Sequence, residues 1–249
     1  MTHLVSVVTP VYRGVPEYLV AAYESIAAQE LPAGWGWEWV VQGDGLDQAG
    51  IGAVLPGDER VRFGVGRHGG AGVARTSALG RVSGELVKVL DSDDRLAAGV
   101  LARDIAVLAD NDIGWTTSRA LDVLPDGSTR GFDHDPPEGV LARGAVLAHW
   151  RAHGRAPVHP ATLCIRTDLL LALGGWMGLP ASEDTGLLLA ADAVADGYFS
   201  AEIGLFYRKW PGQVTGQAAH VDRGDVAARH AVIGRRAEVL ARSFPHWRG

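Results

Sequence analysis

The sequence predicts an α/β protein, with a mostly parallel central sheet flanked by helices in a single compact two-lobed domain. Three observations carry this. Short apolar runs of strand length alternate with helix-period segments through the first hundred residues, the rhythm of a parallel sheet covered by helices. Polar groups collect where those runs end, as they do where open α/β sheets bind ligands. The 249 residues are 47% hydrophobic and 21% charged, enough apolar mass for one sizeable core or two fused lobes.

The elements follow in order. Residues 4–8 form a continuous apolar run, the pattern of a strand buried on both faces. Residues 18–28 read as a helix, with Tyr18, Ala22 and Ile26 at helical spacing. Strands are expected at 38–42, 61–65 and 86–90, with a helix at 72–82. A helix at 95–109 gathers Leu96, Val100, Leu101, Ile105 and Leu108 on one face. After residue 110 the rhythm breaks. Residues 113–124 read as one or two strands and 126–139 as a polar, proline-containing loop. Helices are expected at 140–152, 168–173, 183–195 and 225–242, with strands near 162–165 and 202–207. The chain divides near Asp94 into an amino-terminal half, 1–94, built to hold a cofactor or donor, and a more specialised carboxyl-terminal half, 95–249.

Charge and composition exclude several classes. The 29 acidic and 23 basic residues give a net charge of −6, which argues against nucleic-acid and membrane-surface binding. No apolar run approaches the length of a membrane span, and the first residues lack the pattern of a signal peptide. A cytoplasmic location is the expectation. The single cysteine, Cys164, rules out an internal disulfide and a multi-cysteine zinc site, and its apolar surroundings mark it as a buried small hydrophobe. Trp35, Trp37 and Trp39 alternate along one strand, so they favour packing on one face over ligand contact.

The sharpest chemical feature is Asp91-Ser92-Asp93-Asp94, three carboxylates in four residues at the end of an apolar strand. Crowded carboxylates repel unless a cation lies among them, and hard oxygen ligands favour manganese, magnesium or calcium. The same residues also suit a solvated turn with a helix cap. Thr9-Pro10-Val11-Tyr12 ends the first strand and Gln42-Gly43-Asp44-Gly45 the second, so three strands deliver polar groups to one edge. The glycine-containing run 67–75, from Arg67 to Arg75, opens a helix whose backbone N–H groups could face a phosphate.

Together these residues resemble family 2 glycosyltransferases of the GT-A fold. The matching pieces are residues 5–12, Gly43-Asp44-Gly45, Gly72-Val73-Ala74-Arg75, Leu90-Asp91-Ser92-Asp93-Asp94 and Ser182-Glu183-Asp184, in that order. The resemblance implies an inverting transfer of a sugar from a nucleotide diphosphate donor, most simply a UDP-sugar, to a hydroxyl acceptor. By position it implies that Thr9, Pro10, Val11, Tyr12, Asp44, Arg75, Asp91 and Ser92 bind the donor. It places a divalent cation, Mn2+ or Mg2+, on Asp93 and the catalytic base at Asp184. Glu183, Trp176, Trp210 and His159 are acceptor candidates, the two tryptophans as stacking surfaces. Where some members carry a histidine near the metal, this chain has Trp210, with His220 as a substitute. Where the family often has two aspartates, Gly43-Asp44 stands, with Gln42 in reach of the lost contact.

Two other readings compete. A sugar nucleotidyltransferase shares a similar sheet but usually carries a glycine-rich basic loop after the first strand, where this chain has Thr9-Pro10-Val11-Tyr12. A nucleotide-sugar-binding module without activity would have no use for both Asp93 and Asp184. The acceptor and the oligomeric state are not legible in the sequence.

Overall fold

The computed structural model describes residues 3–12, 16–213 and 222–247. The amino-terminal part runs β1 (His3–Val11), α1 (Pro16–Ala27), β2 (Trp35–Asp44), α2 (Gln48–Gly52), β3 (Val61–Gly66), α3 (Ala71–Ala78) and β4 (Leu86–Val89). These four strands pair in parallel in the order β3-β2-β1-β4, which places the carboxyl ends of β1, β2 and β4 on one edge.

The remaining elements are β5 (Arg95–Leu96), α4 (Val100–Asp110), β6 (Trp115–Val123), β7 (Thr129–Arg130), β8 (Gly139–Leu141), α5 (Ala145–His153), β9 (Cys164–Arg166), α6 (Thr167–Ala172), α7 (Glu183–Val194), β10 (Gly197–Arg208) and α8 (Arg223–Ser243). The sheet continues from β4 through β9, β6 and β10 to β5. β9 lies antiparallel to both β4 and β6, while β6 and β10 are parallel. Among the described residues no helix is long and apolar enough to cross a membrane.

Side-chain alternation sends each strand into two cores. Trp37, Trp39 and Val41 of β2 pack with α1 and α4, and Val40 packs on the opposite face with α6 and α7. The tryptophans of β2 are thus core residues, as their spacing implies. Cys164 is fully buried, also as expected. α7 is apolar on nearly all sides from Gly186 to Val194, and it lies between the sheet and α8.

Two polar groups are built into this interior. Lys88 interrupts the apolar run of β4 and is fully buried; its Nζ lies 2.7 Å from Asp104 Oδ2 and donates at 2.7 Å to the Thr162 carbonyl. Asp192 of α7 accepts from the Val146 and Leu147 N–H groups at 3.2 and 2.9 Å, so it caps α5 from a neighbouring helix.

Several expected boundaries shift. Arg95 and Leu96, expected to open a helix, instead form β5 antiparallel to β10, with Leu96 opposite Leu205. Residues 139–141, placed partly in a helix, form β8 against the start of β10. In both places strand pairing overrides a local helical pattern, because a neighbouring edge satisfies the backbone groups. The carboxyl half is stitched into the amino half: β9 takes its ladder from β4 on one side and from β6 on the other.

Candidate active site

Asp44 leaves the end of β2 only 3% exposed. Its carboxylate accepts from Gly69 N–H at 2.6 Å and Gly70 N–H at 3.0 Å, and His68 Nδ1 lies 2.9 Å from its second oxygen. Gly70 takes φ +89°, a conformation open to glycine that turns both N–H groups onto the carboxylate. Two of the backbone donors expected to face a phosphate, those of Gly69 and Gly70, are therefore spent on Asp44. The ring of His68 stacks on Tyr12, with centroids 4.3 Å apart. Thr9 is buried, and its hydroxyl oxygen accepts from Trp39 Nε1 at 2.9 Å. Pro10 and Val11 are also buried, so Tyr12 alone of this run reaches the cleft. Gln42 is buried and bonded to Arg81, which removes it as a substitute nucleoside contact.

The acidic segment after β4 meets the end of β10. Asp93 Oδ2 accepts from Trp210 Nε1 at 2.7 Å, and Asp94 Oδ1 accepts from Arg208 N–H at 2.8 Å. The Arg208 guanidinium donates to the Asp93 carbonyl at 2.9 Å and covers the ring of Tyr18. Ser92, between Asp91 and Asp93 in sequence, is half-buried. Burial pushes the Asp93 carboxyl up, opposed by the Trp210 bond and reinforced by the charge of Asp91. Asp94 rises well above the usual carboxylate range, by burial and then by the charges of Asp91 and Asp93, and its Oδ2 has no hydrogen-bond partner.

Arg75, 4% exposed, joins this segment to the acidic pair. One guanidinium nitrogen donates to Glu183 Oε1 at 2.7 Å and another to Asp91. The close approach rests on Gly72, where a Cβ would strike the Met177 carbonyl and the Glu183 side chain. Ser182 precedes the pair at φ 61°, the one non-glycine residue with positive φ among the described residues. Asp184 Oδ1 accepts from Thr185 N–H at 2.6 Å in the first turn of α7. Burial raises both carboxyls; Asp184 adds to the rise at Glu183, and Arg75 opposes it at both. Tyr207, expected only as part of a strand, is pushed up by burial and then by the charges of Asp91, Asp94, Asp93 and Asp184.

The acceptor candidates separate. Trp176 is 4% exposed in the core, so it offers no stacking surface in this structure. Trp210 stands on the Asp93 side, edge-on to Tyr18 at 5.6 Å, because its indole N–H finds a carboxylate there. Glu183 is committed to Arg75. His159 lines a cavity of about 550 Å³ with Thr185, Phe132 and Trp150. His220 lies outside the described residues. Asp133-His134-Asp135 also borders this cavity, and Asp135 pairs with Arg119 at 3.0 Å.

Among the described residues no three His, Cys, Asp or Glu side chains converge on a point that a metal ion could occupy. The described residues therefore do not supply a complete shell. The donor set still fits a hard cation that takes one or two carboxylates and completes its shell with phosphate oxygens and water. One acceptor there, Asp94 Oδ2, has no hydrogen-bond partner among the described residues, and burial is the main cause that raises Asp93.

The backbone matches crystal structures of TarS from S. aureus. TarS 1–349 in complex with UDP-GlcNAc superimposes with a TM-score of 0.71 at 20% identity, over 97% of this chain and 70% of that one. The complex with UDP gives 0.65 at 21% identity, over 85% and 61%. The chain has the TarS fold. It spans 44% of a longer TarS chain, with a TM-score of 0.65. No protein-family model matches this chain, and no curated protein matches it. The α/β architecture expected from the motifs, that of the GT-A fold, is the observed one.

Proposed function

We propose that this protein is an inverting glycosyltransferase that moves a sugar from a nucleotide diphosphate donor, a UDP-sugar, to an acceptor hydroxyl. The observation that carries this reading is the Arg75 bridge, which sets the Glu183-Asp184 pair against Asp91 at the carboxyl edge of the sheet. The complexes of TarS with UDP and UDP-GlcNAc support the choice of donor.

Residues of the amino-terminal half hold the donor and those after Asp94 receive the acceptor. The nucleoside sits by Tyr12 and the Asp44 loop, and Asp91 and Ser92 approach the ribose. Asp93, with Asp91 behind it, would hold a divalent cation at the diphosphate. Such an ion, when bound, neutralises charge on the leaving oxygen. Arg208, lying on the acidic segment, adds a fixed positive charge on the same side. Asp184 takes the proton from the acceptor hydroxyl. Its burial raises its basicity toward working pH, while Arg75 keeps it ionised. Inversion needs only this one carboxylate on the acceptor side.

Titration calorimetry with UDP, first with manganese and then with a chelator, tests the donor site. Tight binding that weakens on chelation is expected, since the ion separates carboxylate from diphosphate. Equal affinity in both conditions removes the metal from Asp93, and absence of UDP binding removes the donor assignment. Incubation with UDP-GlcNAc distinguishes the chemistry. Release of UDP marks a transferase, pyrophosphate formed in a parallel incubation with UTP and N-acetylglucosamine 1-phosphate marks a nucleotidyltransferase, and binding without release in either marks a module without activity.

A further inference from the structure

We propose that the cavity beside Asp184 takes a neutral carbohydrate, with His159 as its fixed hydrogen-bond donor and Phe132 as its stacking wall. The inference rests on the glycosyltransferase reading and narrows its acceptor. The cavity, about 550 Å³, falls within the range of about 300–1,000 Å³ that holds small ligands. It lies next to the proposed base: Thr185 lines it, and Thr185 N–H donates to Asp184.

Its charges cancel. Asp122 pairs with Arg130 at 3.1 Å and with Lys209 at 3.4 Å, and Asp135 pairs with Arg119. Of the lining acids and guanidiniums, this leaves Asp133 and Arg155 outside any ion pair among the described residues, one of each sign. A phosphate or carboxylate drawn from water needs a surplus of positive donors to replace its hydration, and the lining holds none. What it does hold are carboxylates, ring nitrogens and an aromatic face, the groups that bond sugar hydroxyls and cover sugar C–H faces.

His159 is preset for that task. Its Nδ1 accepts from Ala161 N–H at 3.3 Å, which assigns the ring proton to Nε2. The ring stands between Phe132, 5.3 Å away, and Tyr207, 4.9 Å away. Burial holds the imidazole neutral, with its pKa lowered to about 4, so it donates without adding charge. The turn that carries it is anchored twice. The Thr162 hydroxyl donates to the His159 carbonyl at 2.7 Å, and Lys88 donates to the Thr162 carbonyl. Phe132 leaves 39% of its surface exposed at the cavity wall.

Saturation-transfer NMR without donor tests this, using phenyl β-D-glucopyranoside and phenyl β-D-galactopyranoside as neutral probes and glucose 6-phosphate as the charged one. At least one neutral glycoside should bind, with the phosphate binding weakly or not at all. Phe132→Ala and His159→Ala should each weaken the glycoside by roughly tenfold, the cost of about one lost contact. His159→Gln, which keeps an N–H donor, should recover much of the loss. UDP affinity should stay within roughly twofold of wild type in all three variants, as expected for sites without shared partners. Preference for glucose 6-phosphate, silence from both glycosides, or unchanged binding in both alanine variants overturns the proposal. Because the probe signal is read without donor, failure of UDP to bind wild type would overturn the donor assignment and leave this result standing.

Discussion

Arg75 and Glu183, 108 residues apart in sequence, meet at 2.7 Å in the interior, and the same guanidinium also reaches Asp91. One arginine thus fixes the register between the end of β4 and the start of α7. It also divides labour within the acidic pair. Glu183 is tied to a cation, which on the proposed reading leaves Asp184 to act on substrate.

Asp184→Asn should therefore lower turnover by roughly two to four orders of magnitude, the usual range for a lost general base. Donor binding and stability should stay close to wild type, since asparagine keeps the shape and can still accept at a helix N-terminus. Glu183→Gln should do the reverse, with a loss of about 1–3 kcal/mol in unfolding free energy from the broken charge-assisted bond. Steady-state kinetics and urea denaturation on both variants check the division. Collapse of turnover in Glu183→Gln alone would move the base by one residue.

Asp44→Ala should weaken UDP binding and also free the 68–70 loop, because three donors lose their shared acceptor. The stability cost is expected at about 1–3 kcal/mol. Amide hydrogen exchange at Gly69 and Gly70 should accelerate in the variant. Unchanged exchange there, with UDP binding lost, would mean that Asp44 acts on the nucleoside alone.

Lys88→Met should destabilise the protein by about 3–5 kcal/mol, because it leaves Asp104 buried without its partner. Burial already raises the Asp104 carboxyl against the pull of Lys88, so the pair is held under opposing forces. The double variant Lys88→Met/Asp104→Leu should recover most of that loss. Urea denaturation of the two variants is the measurement, and a double variant no better than the single one would contradict it.

Asp192 and His159 predict opposite responses to acid. Burial raises Asp192 to about 6, against the N–H groups of Leu147 and Val146. Its folded form binds a proton that the unfolded chain releases, so its contribution is full below about pH 4 and lost as pH rises through 6. His159 is lowered to about 4 by burial; its contribution is present above about 6.5 and lost as pH falls toward 4. Asp192→Asn removes the first effect and leaves the second. The stability gap between wild type and variant should therefore widen as pH drops from 6 to 4, by about 1–3 kcal/mol. Denaturation midpoints across that range read it directly, and a constant gap would refute it.

Much of the carboxyl edge of β1, β2 and β4, the proposed donor side, was legible because its signals are local. Strand runs end at Thr9, Asp44 and Leu90, and the polar residues follow at once. The acceptor side was less so, because its contacts are long-range. Nothing around Arg95 or Val140 announces a strand until β10 lies alongside. Trp176 and Trp210 have the same side chain, yet one is in the core and the other on Asp93. Only the partner for the indole N–H separates them. Tyr207 went unmarked for a related reason, since the carboxylates whose charges act on it lie in two distant segments. The anchoring of Asp44 by Gly69 and Gly70 could have been suspected, because Gly69-Gly70 opens a helix with no side chain to cap it.

The insertion of β9 between β4 and β6 bears on how the chain could be divided. Severed near Asp94, the first piece would end in a strand with one bare edge, and the second would carry the short strand that fits it. Bare edges of this kind seek partners. The two pieces, poorly ordered apart, should reassemble when mixed and regain UDP binding together. The break lies beside the acidic segment, so reassembly would be reported by the donor site itself. The architecture thus lends itself to a split reporter, in which ligand capture registers the meeting of two polypeptides.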